Sequence, residues 1–155
     1  MSIPVTRLNH AVLYVRNVER ASRFYRDTFG FEEIGRAGGR MAFLRAAGSQ
    51  NHHDLGLMEV GEHAPAPVHG ATGLYHLAWQ VATIESLAAA RELLIGMDAL
   101  VGQSDHGATK SVYGIDPDGN EFEVMYMLPR EEWGEYERSG VVMPLNMDKE
   151  LARGR

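Results

Sequence analysis

The stretches LNHAVLYVRNVERA (residues 8–21) and LYHLAWQVATIESL (residues 74–87) are two copies of one pattern. At a constant offset of 66 residues (8 to 74, 10 to 76), Leu8 matches Leu74, His10 matches His76 and Val15 matches Val81. Val18 and Glu19 match Ile84 and Glu85 in the same register. Self-similarity at a fixed period marks a repeated supersecondary unit. Each copy reads as a strand followed by a helix. Val18, Ala21, Phe24, Tyr25 and Phe29 recur at helical spacing with Gly30 as the stop, and Ile84, Leu87, Ala88 and Leu94 do so before Gly96. Asn17 and Thr83 stand where an N-cap side chain accepts a free amide of the first turn.

Three short strand segments follow each helix: 31–36, 40–45 and 53–60 in the first copy, 100–103, 109–115 and 121–127 in the second. GG, GSQN and DPDGN punctuate them, the last as a strong turn. The expected fold is therefore α+β, with two βαβββ modules over 7–60 and 73–127 in a single domain of 1–155. A Pro- and Gly-bearing linker, 61–72, joins them. The tail, 128–155, is expected to hold a short helix near 130–138 and an extended end that reaches a neighbouring subunit.

Bulk properties narrow the function classes. Of 155 residues, 45% are hydrophobic and 23% charged, values of a globular chain able to bury one core. A formal net charge of −6 argues against a nucleic-acid partner. With no cysteine, any metal must be held by nitrogen and oxygen. No run approaches the length of a membrane span, so a soluble, cytoplasmic protein with no membrane partner is expected.

Side chains alternate across a strand. His10 therefore shares a face with Val12 and Tyr14, while Ala11, Leu13 and Val15 form an aliphatic face suited to helix packing. His76 repeats this beside Ala78 and Gln80. In the last strand Glu121, Glu123, Met125 and Met127 share one face, opposite Phe122, Val124 and Tyr126. A carboxylate turned inward needs a partner. If the sheets curl into a cup, His10, His76 and Glu123 face one cavity from three strands. Two histidines and one carboxylate leave three coordination positions open, the arrangement of non-haem Fe(II) oxygen chemistry. QNHHDLGLMEV (residues 50–60) adds two histidines ahead of an alternating strand. Parity selects His53, which shares a face with Leu55, Leu57 and Glu59.

LNHAVLYV, GLYHLAWQV and SVYGIDPDGNEFEV resemble the vicinal oxygen chelate superfamily, over about residues 7–127. Its fold pairs βαβββ modules around a metal. Its members include glyoxalases, epimerases, fosfomycin-resistance transferases, metal-free bleomycin-binding proteins and type I extradiol dioxygenases, so fold alone does not name the reaction. HHDLGL and DHGATKSVYGIDPDGNEFE are most similar to the dioxygenases. That resemblance implies His53 as the proton-transferring base. It also implies Tyr113, ten residues before Glu123, and His106, seven before Tyr113, as groups that hydrogen-bond the substrate anions. The His106 spacing is shorter than in the large enzymes of that group, which have four modules where this chain has two. The resemblance further implies Fe(II), or else Mn(II) or another divalent metal, a catechol-type aromatic substrate with O₂, and a homodimer or higher homo-oligomer. Two other readings stay open. Glu59 lies 49 residues after His10, much as Glu123 lies 47 after His76, and as a fourth ligand it would give a glyoxalase- or epimerase-like isomerase. A non-catalytic small-molecule-binding protein on the same fold is the other.

Overall fold

The computed structural model describes residues 2–153, which divide between Ala66 and Pro67 into two compact units. In the first, strand β1 (Ala11–Val15) leads into helix α1 (Val18–Phe29), followed by β2 (Glu32–Ala37), β3 (Met41–Arg45) and β4 (Leu55–Glu59). In the second, β5 (His76–Val81) leads into α2 (Ile84–Gly96), then β6 (Leu100–Asp105), β7 (Thr109–Ile115) and β8 (Glu121–Met127). The sheet orders are β1-β4-β3-β2 and β5-β8-β7-β6. In both, the first and last strands run parallel and the other pairs antiparallel. The repeat extends to the irregularities. A bulge lies between Glu33 and Gly35 in one sheet and between Leu100 and Gly102 in the other.

Local chemistry explains the element ends. The Asn17 side chain accepts from the Arg20 amide, and the Thr83 side chain from the Ser86 amide. Gly30 ends α1 with φ of 66°, a conformation that disfavours any residue with a Cβ. At the β7–β8 turn Asp116 Oδ1 accepts from the Asp118 and Asn120 amides. The aliphatic faces are buried as expected. Leu13, Val15, Ala42, Leu44, Leu55 and Leu57 pack with Val18, Ala21 and Tyr25 of α1, while Val12 and Tyr14 are exposed. In the second unit Val112, Phe122 and Val124 play the same part with Leu87 and Leu94. Burying each such leucine contributes about 2 kcal/mol. Gly114 is required there, since a Cβ on it would lie 2.6 Å from the Phe122 ring.

Three expectations are corrected. β1 begins one residue after His10, and β4 begins two residues after His53, so both histidines precede their strands. The helix expected near 130–138 is instead two short 3₁₀ turns, Arg130–Glu132 and Gly134–Glu137, broken where Gly134 takes φ of 52°. The end of the tail is not extended. It forms α3 (Met147–Arg153) and lies on its own unit, where Leu145 and Glu150 are buried. No helix among the described residues is long and apolar enough to cross a membrane.

Candidate metal centre

Strand pairing assembles the acidic end of the second unit. β5 runs parallel to β8 with His76 opposite Glu121 and Ala78 opposite Glu123. β7 runs antiparallel to β8 with Tyr113 opposite Glu123 and Ser111 opposite Met125. Alternation leaves His76, Glu121, Glu123, Ser111 and Tyr113 on the face opposite Phe122 and Val124. His76 Nε2 lies 3.0 Å from Glu123 Oε2, and the Ser111 hydroxyl donates to the other oxygen of Glu123. His76 Nδ1 is buried without a hydrogen-bond partner, 3.8 Å from Glu121 Oε1. The Tyr113 ring stands 5.6 Å from the His76 ring. Its hydroxyl is 2.8 Å from His106 Nε2, and His106 Nδ1 is 2.8 Å from Val141 O.

His76, Glu121, Glu123, Tyr113 and His106, with Tyr75, line a cavity of about 720 Å³. Burial, and then the Glu123 charge, push the Tyr113 phenol above its ordinary pKa, against hydrogen bonds from Ser111 and Ser104. The phenol therefore keeps its proton at neutral pH. A hydrogen bond to Glu121 raises Tyr75 likewise. An imidazole nitrogen and a carboxylate oxygen 3.0 Å apart, with the second oxygen tied by Ser111, form a donor pair that fits a divalent cation. Among the described residues, neither unit by itself gathers three His, Asp or Glu side chains around one point.

In the first unit His10 is exposed, with Nδ1 2.9 Å from Asn9 Oδ1. Its ring packs 4.4 Å from the His53 ring, which also meets Phe43 at 5.1 Å. Burial, together with the neighbouring His10 and His52, pushes the His53 imidazole below its ordinary pKa. Asp54 holds this bend. Its carboxylate accepts from the Ala46 amide, the Ser49 hydroxyl and the Asn51 side chain at 2.7 to 2.8 Å. Burial of Asp54 works to raise its pKa, and these three hydrogen bonds outweigh it and hold the carboxyl low.

The parity argument that selected His53 does not hold. β1 pairs with β4 so that Leu55, Leu57 and Glu59 stand opposite Ala11, Leu13 and Val15, which is the helix-packing face. His53 sits in the bend before β4, and that bend carries its ring to His10 and Phe43. Glu59 is committed elsewhere, since its Oε2 accepts from the Val18 amide of α1 at 3.0 Å. The register also identifies the counterpart of Glu123. Glu123 pairs with Ala78, two residues after His76, and Gly56 pairs with Val12, two residues after His10. The first unit thus has a glycine where the second has its carboxylate.

The fold therefore brings His76, Glu123, Tyr113 and His106 together in one unit, and His10 and His53 in the other. Sequence reasoning missed Ser111 and Tyr75 as neighbours of these groups, and placed Glu121 on the Glu123 face without giving it a part. Ser111 was within reach, because it lies two residues before Tyr113 and so shares its face.

Residues 7–124 match the family described as the Glyoxalase/Bleomycin resistance protein/Dioxygenase superfamily. The chain is 32% identical over 139 residues to the catechol-2,3-dioxygenase of Bacillus subtilis (strain 168), covering 89% of this chain and 47% of that protein. It is 28% identical over 143 residues to the manganese-dependent 2,3-dihydroxybiphenyl 1,2-dioxygenase of Geobacillus genomosp. 3, covering 90% and 42%. The chain thus spans less than half the length of these two relatives. Among solved structures, a glyoxalase/dioxygenase from Nostoc punctiforme superposes with a TM-score of 0.68 at 20% identity, over 83% of this chain and 97% of that one. Lactoylglutathione lyase from Agrobacterium tumefaciens does so with 0.60 at 24% identity, over 80% and 96%. These likenesses establish the fold.

Proposed function

The chain belongs to the Glyoxalase/Bleomycin resistance protein/Dioxygenase superfamily, and from that premise we propose that it is a metal-dependent extradiol dioxygenase of a catechol-type aromatic compound, with O₂ as cosubstrate. His10, His76 and Glu123 hold the metal in this reading. The observation that carries it is the Tyr113–His106 hydrogen bond, at 2.8 Å, beside His76 and Glu123. Fe(II) or Mn(II) held there would supply Lewis acidity toward the catechol oxygens and an electronic link between the ring and O₂.

The chain's own residues do the rest. Ser111 keeps the Glu123 carboxylate oriented. Tyr113, protonated at neutral pH, sets its hydroxyl oxygen beside the substrate's oxygens in a cavity large enough for an aromatic ring. His53 accepts the proton of a catechol hydroxyl and later returns it to an oxygen of the opened product. The isomerase reading needs Glu59 as a fourth ligand, and that carboxylate is engaged by the Val18 amide.

The test is oxygen uptake by anaerobically iron-loaded protein given catechol or dihydroxybiphenyl. Uptake matched to a yellow ring-opened product supports the proposal, and His53→Ala is then expected to keep the metal and lose turnover. Bound metal with no uptake would shift the reading to an isomerase.

A further inference from the structure

The second unit carries a segment that the proposed chemistry does not use, the tail after the 3₁₀ turns. It crosses the open edge of β6. Asp105 and Met143 exchange both backbone hydrogen bonds, at 2.8 and 2.9 Å, and Gln103 Nε2 donates to Leu145 O at 3.4 Å. Beyond this bridge α3 is anchored at a buried cation. Lys110, 3% exposed, bonds Asp105 Oδ1 at 2.5 Å and Gly107 O at 3.0 Å, with Glu150 Oε2, itself 5% exposed, at 4.0 Å. A buried ammonium keeps its charge only with such partners, so the tail and the β6–β7 loop are tied at one point. That loop carries His106. The tail also reaches the cavity directly, because Val142 lines it.

We infer that residues 141–153 are a positioning strap for this site, with Val141 O fixing the tautomer of His106 and the Lys110–Glu150 contact anchoring the strap. A carbonyl oxygen only accepts, so His106 Nδ1, 2.8 Å from Val141 O, carries the proton. Nε2 of the neutral ring is then an acceptor, and its partner at 2.8 Å, the Tyr113 hydroxyl, donates to it. Tyr113 is thereby held with its O–H directed at Nε2 of His106, so that toward every other group its oxygen can only accept. Without the strap either nitrogen can carry the proton, and Tyr113 loses a fixed orientation. His106, Val141, Met143, Lys110 and Glu150 are positioning groups in this account. The catalytic consequence rests on the dioxygenase reading; the tautomer does not.

The decisive experiment is nitrogen-detected NMR of the imidazoles in the metal-free full chain, which reads each tautomer directly. Wild type is expected to show His106 as the Nδ1–H form. Met143→Pro deletes one bridge N–H without removing a buried side chain, and is expected to give averaged His106 nitrogen signals. Met143→Ala keeps the backbone donor and should match wild type. In the iron-loaded enzyme Met143→Pro should lower kcat about tenfold or more while metal affinity stays within about twofold. Should Met143→Pro not fold, Glu150→Gln tests the anchor in the same spectrum, with faster amide exchange at Met143 expected alongside averaged signals. An Nε2–H form in wild type overturns the inference. So does an unchanged tautomer in folded Met143→Pro, or in folded Glu150→Gln whose Met143 amide exchanges faster. If the wild-type enzyme cleaves no catechol, the spectrum still decides the strap separately from the reaction.

Discussion

Changing Glu59 to alanine deletes the carboxylate oxygen that accepts the Val18 amide at 3.0 Å. The first amides of a helix have no partner within it, so this one is left to find water at a partly buried end. The Asn17 side chain still accepts from Arg20 N, so the cap is weakened rather than removed. Losing a charged acceptor at a helix N-terminus costs about 1 kcal/mol, within the usual capping range. For a chain of this size that lowers the melting temperature by about 2–4 °C. Glu59→Gln keeps an acceptor oxygen and is expected to cost less than half as much. Metal affinity should stay within about twofold in both variants, because neither changes His10, His76 or Glu123. Glu123→Ala, measured beside them, should lose affinity by about a hundredfold or more. The assays are thermal denaturation followed by circular dichroism and calorimetric titration with Mn(II). A tenfold loss of affinity in Glu59→Ala with an unchanged melting temperature would refute the reasoning and restore the four-ligand site.

Other outcomes follow from the same structure. Tyr113→Phe removes the hydroxyl that meets His106, and turnover should fall about 10- to 100-fold with metal affinity unchanged. Ser111→Ala frees one oxygen of Glu123 and should weaken metal binding about tenfold, read by the same titration. Leu57→Ala opens a cavity at a fully buried position and should cost about 3 kcal/mol in denaturant unfolding. Glu33 is held at a pKa of about 2, chiefly by the Arg36 hydrogen bond with help from Ser22 and against burial. Its pKa is depressed on folding, so its stabilisation is full above about pH 4.5 and is lost as pH falls toward 2. After solvent screening this is worth about 1 kcal/mol. Glu33→Gln should therefore differ from wild type in chemical denaturation at neutral pH and converge with it near pH 2.

The repeat was legible because its signals are local. Asn17, Gly30 and Thr83 act on amides and dihedrals within a few residues, and the structure places each where the pattern required. The spacing of Tyr113 to Glu123 came from the family resemblance, and the strand register supplies its physical reason. A tight turn at DPDGN makes residues equidistant from Asp118 face each other, and 113 and 123 are such a pair. What failed involved geometry that alternation does not encode. His53 was selected by a strand parity that begins only at Leu55, whereas residues 51–54 are bent by the three hydrogen bonds to Asp54. Glu59 was a rival ligand by counting from His10, yet pairing with β1 puts Gly56 at that place and turns Glu59 toward α1. The tail has no periodicity to read. Its seat depends on one backbone bridge and one buried lysine, contacts between residues far apart in sequence.

The central claim is the reaction, and the most direct measurement is mass spectrometry of the product formed from catechol by the iron-loaded chain under isotopically heavy O₂. Extradiol cleavage predicts that both atoms of one O₂ molecule appear in a ring-opened product, before any exchange of its aldehyde oxygen with water. A product that carries no heavy oxygen, or an intact catechol recovered from metal-loaded protein, would contradict the account.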